Sequence, residues 1–385
     1  MDAPLHLHEV IELLERRYPP ATAESWDAVG LVAGEPGAPV RRVLFAVDPT
    51  EEVVAEAAAA GADLLVTHHP LLLRPVNSVA ATTPKGRVLH RLITEGIALY
   101  VAHTNADSAA GGVNDALADA LDLVATRPLV PAPGRPLDVL VVHVPEPDAE
   151  AVREALAAAG AGAVGDYSGC AWSTGGVGEF TPRAGANPAI GMVGSHERVA
   201  ERRMEMVVPP GLRDAVTAAL REAHPYEEPA FSFLATHPPS AHTGSGRLGR
   251  LTEPTTLGEL AARVVATLPA TAQGVRVSGD LTASVEMVAV CGGSGDAYLG
   301  AAHRAGADVY ITADLRHHRA GEAREADGAP FLIDAAHWAT EWPWLPVAAR
   351  ALDTDSAGRV ETIVSTRVTD PWTLRLGAAN TGGNL

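Results

Sequence analysis

Residues 41–70 read RRVLFAVDPTEEVVAEAAAAGADLLVTHHP, and this stretch decides the fold. RRVLFAV is an apolar run of strand length, EEVVAEAAAA has helical composition and ends at Gly61, and DLLVTHH is a second apolar run stopped by Pro70. Strand, helix and strand in that order predict a parallel βαβ unit. The segment then recurs. Residues 43–70 align without a gap on residues 288–315, so that Val43 meets Val288, Gly61 meets Gly306, Asp63 meets Asp308 and Thr67 meets Thr312. GADLLVTHH becomes GADVYITAD. Gly-Ala-Asp before an apolar run is also a common helix-to-strand turn. A second, weaker correspondence between GIALYVAHTNAD (96–107) and GAPFLIDAAHWATE (328–341) favours duplication. The expected fold is therefore α/β, with a duplicated, pseudo-symmetric core of largely parallel sheet covered by helices.

Outward from the repeat, the character of the chain changes between residues 126 and 244. Pro-rich stretches at 128–136 and 236–246 read as boundary loops. Between them lie LDVLVVHVP as a strand, DAEAVREALAAAGA as a helix, RMEMVVPP as a strand, GLRDAVTAALREAH as a helix and PAFSFLAT as a last strand. That order predicts a small ferredoxin-like α+β module inserted into the core. The expected divisions are 1–125 for the first half of the core, 126–244 for the module and 245–385 for the second half. The tail after about residue 370, ending AANTGGNL, is expected to be flexible.

Composition excludes several functions. Of 385 residues, 47 are acidic and 29 basic, a formal net charge of −18 that repels a phosphate backbone, so nucleic acid is not an expected partner. Lys85 is the sole lysine, which the composition of the genome explains. No uninterrupted apolar stretch of about 18 residues occurs and the N-terminus lacks a signal-peptide pattern, so no membrane association and a cytoplasmic location are expected. Two cysteines, Cys170 and Cys291, are too few for a disulfide framework or a thiolate zinc site. Any bound metal must be held by His and carboxylate.

Such residues stand at the expected strand ends. His68 and His69 follow a buried strand and precede Pro70, and open α/β sheets bind ligands outside the carboxyl ends of their strands. Adjacent strand residues face opposite sides, so both imidazoles reach one site only where the chain has begun to turn. Packing as hydrogen-bonded core histidines is the alternative. Asp107 closes the next strand within HTNAD, where it can bind or bridge metals or hold its own turn. His337 and Glu341 lie four residues apart, one turn along one face if the segment is helical, interleaved with Trp338, Trp342 and Trp344. Three histidines and two carboxylates exceed the roughly three protein ligands of an open catalytic zinc site. The surplus points to two divalent ions, Zn, Mn, Fe or Co, about 3.5 to 4 Å apart, able to lower the pKa of a shared water. His103 and His318 are candidates for moving protons, with Asp314 and His317 beside them. The Gly-rich run CGGSG (291–295) is either a phosphate cradle or a tight turn. AHPYEEPAFSF (223–233) either faces a neighbouring subunit's metal site or forms a turn before a strand.

Together SWDAVGLVAG, THHPLLLRPVNSV, TPKGRVLHRLI, AHTNADSAAGGVNDALA, GANPAIGMVG, AHPYEEPAFSF, AVCGGSG, ADLRHHRA and LIDAAHWATE resemble, in content and order, the Nif-three-like family. Its members are also described as dinuclear-metal hexameric proteins or GTP cyclohydrolase I type 2 homologues. The resemblance covers nearly the whole chain and implies metal ligands at His68, His69, Asp107, His337 and Glu341. It further implies a toroidal homohexamer with metal sites facing an internal cavity, and a module similar to trimer-forming proteins such as CutA. Ala313, Arg319 and Trp338 depart from the family's usual residues, and none is a metal ligand. The expected activity is metal-dependent hydrolysis of a nucleotide-like small molecule, with GTP ring opening as the family name implies. The alternative is a non-catalytic metal-binding hexameric scaffold or regulator.

Overall fold

The structure, a computed structural model, describes residues 4–133, 136–236 and 242–376. It divides into two compact units, Met1–Ala132 with His242–Leu385, and Pro133–Ala241. Parts of the boundary loops at 134–135 and 237–241, and the tail sequence AANTGGNL, lie outside the described residues.

In the first unit the repeat folds twice into the same unit. Arg42–Ala46, helix Glu51–Ala60 and Leu64–Thr67 form one βαβ, and Ser284–Ser294, helix Leu299–Arg304 and Val309–Ala313 form the other. Val43 pairs with Leu64 in parallel register, and Val288 pairs with Val309 in the same register. The turns match atom for atom. Asp63 Oδ2 accepts from the backbone N–H groups of Arg41 and Arg42 at 2.7 and 3.0 Å, as Asp308 Oδ2 does from Glu286 and Met287 at 2.8 and 2.7 Å. Gly61 and Gly306 follow the helices with φ of +64° and +71°, a left-handed conformation that a Cβ would disfavour. The shared Gly-Ala-Asp is thus a complete helix-to-strand connection: a helix stop, a buried Ala and a carboxylate tying the new strand to the start of the previous one.

Among the described residues one sheet runs, in spatial order, Glu361–Val364, Arg42–Ala46, Leu64–Thr67, Ala98–Val101, Gly30–Ala33. The other runs Arg276–Ser278, Phe331–Ala335, Val309–Ala313, Ser284–Ser294, Gly244–Thr256, Val124–Pro131. Each sheet borrows an edge strand from the far half of the chain: Glu361–Val364 joins the first, and Val124–Pro131 joins the second. The period-2 alternation sorts the side chains. Val43, Phe45, Leu64 and Val66 join Val288, Val290, Val309 and Ile311 in one central cluster with helices Val113–Ala120 and Trp344–Asp355. Leu44, Ala46 and Leu65 face outward onto Val53, Val54, Ala57 and Leu92. Their counterparts Ala289, Cys291 and Tyr310 face Leu299 and Ala302.

The second unit contains strand Asp138–Pro145, helix Ala149–Ala158, strands Ala171–Phe180 and Glu197–Val208, helix Arg213–Ala223 and strand Phe231–Ala235. All pairings are antiparallel, in the order Phe231–Ala235, Asp138–Pro145, Glu197–Val208, Ala171–Phe180. Two points differ from the reading of the sequence. The compact insert is Pro133–Ala241 rather than 126–244, because Val124–Pro131 and Gly244–Thr256 pair with each other inside the core sheet. Pro128 and Pro131 are tolerated there because the strand is an edge. The strand Ala171–Phe180 was not anticipated: AWSTGGVGEF carries three glycines and is almost wholly exposed, so it shows no alternation of apolar and polar residues.

No described helix is long and apolar enough to cross a membrane.

Candidate metal centre

The residues singled out above follow the carboxyl ends of three parallel strands. Leu64–Thr67 ends before His68, so both adjacent histidines lie in the turn. Ala98–Val101 leads to His103 and the short helix Thr104–Ser108, which carries Asp107. Phe331–Ala335 leads to the one-turn helix His337–Glu341, which presents His337 and Glu341 from adjacent turns. The side chains meet. Glu341, 3% exposed, has Oε1 at 2.9 Å from His337 Nε2 and 3.4 Å from His68 Nε2, while its Oε2 lies 3.2 Å from His69 Nε2. His69 and His337 approach each other at 3.2 Å between their Nε2 atoms, and Asp107 Oδ1 is 3.7 Å from His68 Nε2.

The second nitrogen of every ring is held. Nδ1 of His68 donates to Ala102 O at 2.9 Å, His69 to Asp48 at 2.7 Å, His103 to Asp27 at 2.8 Å and His337 to Asp314 at 2.7 Å. A carbonyl or carboxylate can only accept, so Nδ1 carries a proton and it is the Nε2 of each ring that turns to the cluster. Thr369 donates its hydroxyl to the other oxygen of Asp48 and fixes that carboxylate in turn. Gly293 lines the same space: a Cβ there would sit 2.4 Å from Glu341 Oε1 and 3.0 Å from His337 Nε2. The Gly-rich run is accordingly the wall of this cluster, its backbone tied by Gly292 N–H to Asn114 Oδ1 and by Gly293 N–H to Thr340 Oγ1, both at 2.9 Å.

Two observations say that the cluster suits a cation. Three of its buried polar atoms, His68 Nε2, Asp107 Oδ1 and Glu341 Oε2, have no hydrogen-bond partner among the described residues, a costly arrangement unless something coordinates them. The field points the same way. Burial disfavours charge on His337, yet Glu341 and Asp314 push it up to about 10, and Glu341 likewise drives His69 well above its ordinary value. Burial would raise Glu341, but the three imidazoles hold it well below the usual carboxylate range. His69, His337 and Glu341 form one group able to hold a metal ion, and His68, His69 and His103 form another, each with ligand atoms within 4.8 Å of one another. The two groups share His69.

His103 thus stands at the cluster. Asp27, which orients it, would be raised by burial but is held far below the usual carboxylate range by His103 and Thr104. His318 is exposed on helix His317–Arg324, its ring 5.1 Å from that of His317, with no hydrogen bond to the cluster among the described residues. Asp314 touches it through His337. Sequence reasoning missed Asp27, Asp48 and Thr369, and read the run containing Gly293 as a phosphate cradle or a tight turn rather than as the wall of the cluster. Asp27 sits within the quoted SWDAVG motif and Asp48 directly after the first apolar run, so a carboxylate at each strand end was a signal available for both.

Burial, then the negative charge of Asp107, pushes the Cys291 thiol up to about 12. At pH 8 its thiolate is a negligible fraction. A thiol reagent is therefore expected to label Cys170, which is partly exposed, while Cys291 reacts only on unfolding. Mass spectrometry of the native and denatured chain checks this, and rapid native labelling of Cys291 would contradict the burial.

Known proteins resemble this chain over nearly its whole length. Residues 5–371 match the family model described as Duf34/NIF3 (NGG1p interacting factor 3). The chain is 51% identical over 371 residues to a Mycobacterium tuberculosis protein named GTP cyclohydrolase 1 type 2 homolog, covering 96% of this chain and 97% of the relative. A protein of the same name from Streptomyces coelicolor is 42% identical over 98% of each chain. Among solved structures, the Bacillus cereus protein related to NIF3 superposes with a TM-score of 0.76 at 37% identity, covering 97% of this chain and all of the other. A Staphylococcus aureus protein superposes with a TM-score of 0.83 at 27% identity, covering 97% and 99%. Matched by the family model over residues 5–371 and by relatives over nearly its whole length, the chain belongs to the Duf34/NIF3 family.

Proposed function

We propose that this protein binds two divalent metal ions and hydrolyses a nucleotide-like molecule, in the manner that the relatives' name, GTP cyclohydrolase 1 type 2 homolog, suggests. The observation that carries the reading is the trio of buried atoms without partners, His68 Nε2, Asp107 Oδ1 and Glu341 Oε2, facing rings whose Nδ1 atoms are already bound. His68, His69, Asp107, His337 and Glu341 would hold the ions. Zn, Mn, Fe and Co all suit this donor set of nitrogen and oxygen. Ions held there supply Lewis acidity that polarises a substrate bond and makes water easier to deprotonate. His103, aligned by Asp27 and part-buried, is suited to carry a proton at the edge of the site. His318, exposed on helix His317–Arg324, is the second candidate for moving a proton. A cytoplasmic homohexamer is the assembly that the family resemblance supports.

Elemental analysis of protein purified without added metal is expected to give two ions per chain. Metal-loaded wild type is expected to consume GTP or a related nucleotide, while Glu341→Ala does not. If both proteins are equally inert across the nucleotide panel, the hydrolase reading fails. The carboxylates behind the histidines provide a graded test. Asp48→Ala frees the Nδ1 of His69 and is expected to weaken metal binding roughly 10- to 100-fold without unfolding the chain, read by competition with a chromophoric chelator.

A further inference from the structure

The inserted unit contains a cavity of about 500 Å³, within the range of small-molecule sites. It lies between the end of strand Ala171–Phe180, the GANPAIGMVG connection and the Tyr226–Glu228 turn. The last two belong to motifs that the metal centre does not use. One part of the wall is apolar: Phe180, Pro188 and Ile190, with the Tyr226 ring edge-on to Phe180 at 5.6 Å. The other part is acidic. Four glutamates line the cavity, and neither arginine nor lysine does.

Those four carboxylates are not equivalent. Glu179 pairs with Arg198 at 3.1 Å, and Glu227 accepts from the backbone N–H of Asn187 at 3.1 and 3.3 Å. Glu201 and Glu228 have no ion pair among the described residues. Glu228 is exposed at the rim, but Glu201 is only 8% exposed and its single hydrogen bond comes from the Tyr226 hydroxyl, at 3.0 Å. A carboxylate withdrawn from water normally has a cation beside it. The surroundings are shaped to keep it there. At Gly178, on the neighbouring strand, a Cβ would lie 2.3 Å from the Glu201 carboxylate, so the glycine leaves a notch for it. Tyr226 is aimed by His224, whose Nδ1 accepts from the Tyr226 N–H at 3.0 Å while its Nε2 donates to His143 O at 2.9 Å.

We infer that this cavity binds a small organic cation, an alkylammonium with an apolar body, its charged head on Glu201 and Glu228 and its carbon skeleton against Phe180, Pro188 and Ile190. The aromatic rings add attraction for an ammonium group. A bare inorganic cation fits poorly, because much of the wall is apolar and the space far exceeds one ion with its ligands.

Ligand-observed NMR titration of the full-length protein with phenethylammonium tests the assignment, with 2-phenylethanol as the neutral isostere and calcium as a competitor. Saturable binding of the amine alone is expected, unaffected by calcium, and weakened at least about tenfold by Glu201→Gln. Glu228→Gln, at an exposed position that cannot disturb the core, is expected to weaken it severalfold and keeps the test independent of folding. Absence of saturation, equal binding of the alcohol, displacement by calcium, or unchanged affinity in both variants overturns the proposal. A cavity already filled by a basic side chain of a partner would give no saturation and overturns it too.

Discussion

Glu341→Gln is expected to weaken divalent-metal binding by more than about 100-fold while leaving the fold intact. The amide has the same shape as the carboxylate, so packing around a residue 3% exposed is preserved. The chemistry is not. Glu341 faces three imidazole Nε2 atoms between 2.9 and 3.4 Å, with its two oxygens divided among them. Gln halves the acceptors, removes the charge and turns an N–H₂ into the space where coordination is needed. The same carboxylate governs the pH dependence. Because it raises His337 to about 10 and His69 well above its ordinary value, protons and metal compete for the Nε2 atoms. A folded-state pKa above the ordinary imidazole value means that protons are still bound at pH 7, so metal must expel them. Wild-type affinity is therefore expected to rise from pH 7 toward pH 10, with proton release visible in calorimetry in buffers of different ionisation enthalpy. In Glu341→Gln both the affinity and most of the proton release are lost. A variant that keeps wild-type affinity would remove Glu341 from the centre.

Much of this cluster was legible because its side chains follow strand ends that the repeat makes recognisable. A strand of four or five apolar residues has few places to put a histidine except where it stops, so His68, His69, Asp107 and His337 could be picked from pattern alone. The groups behind them could not. Asp48 and Thr369 are far apart in the chain and meet only because Ser365 N–H bonds to Phe45 O where Glu361–Val364 continues the first sheet. That exchange of edge strands is a tertiary fact with no local signal. The insert's missing strand failed for a different reason. Ala171–Phe180 packs no apolar face into the core, so its pairing with Glu197–Val208 rests on backbone hydrogen bonds, which composition does not reveal. The Pro-rich start of the insert misled in the opposite direction, since proline on an edge strand costs no ladder hydrogen bond.

Asp115→Ala is expected to destabilise the core unit by about 3 to 5 kcal/mol, the usual cost of stranding one partner of a buried pair. Arg247 is 2% exposed and all five of its N–H groups are spent. Nε and one Nη2 hydrogen go to Asp115, the other Nη2 hydrogen to Ala109 O at 2.9 Å, and Nη1 to Gly244 O and Gly246 O, both at 2.8 Å. Asp115 also accepts from Gly111 N–H at 2.7 Å, in the first turn of helix Val113–Ala120, where a negative charge is favoured. Removing Asp115 leaves a guanidinium in the interior without its counter-ion. For a unit of this size the loss corresponds to a fall in Tm of roughly 6 to 20 °C. Arg247→Lys is expected to be nearly as harmful, because an ammonium has three donors where five are used. Intrinsic tryptophan fluorescence in a urea titration measures both, and a change below about 1 kcal/mol in Asp115→Ala would contradict the argument. The consequence reaches the metal centre. Arg247 clamps the turn that follows the short helix carrying Asp107, and from the next helix Asn114 donates to Asp107 O at 2.9 Å and accepts from Gly292 N–H at 2.9 Å. Loosening the clamp shifts Asp107 and the glycine wall against Glu341 together, so metal affinity is expected to fall in the folded variant as well, although neither Arg247 nor Asp115 touches the cluster.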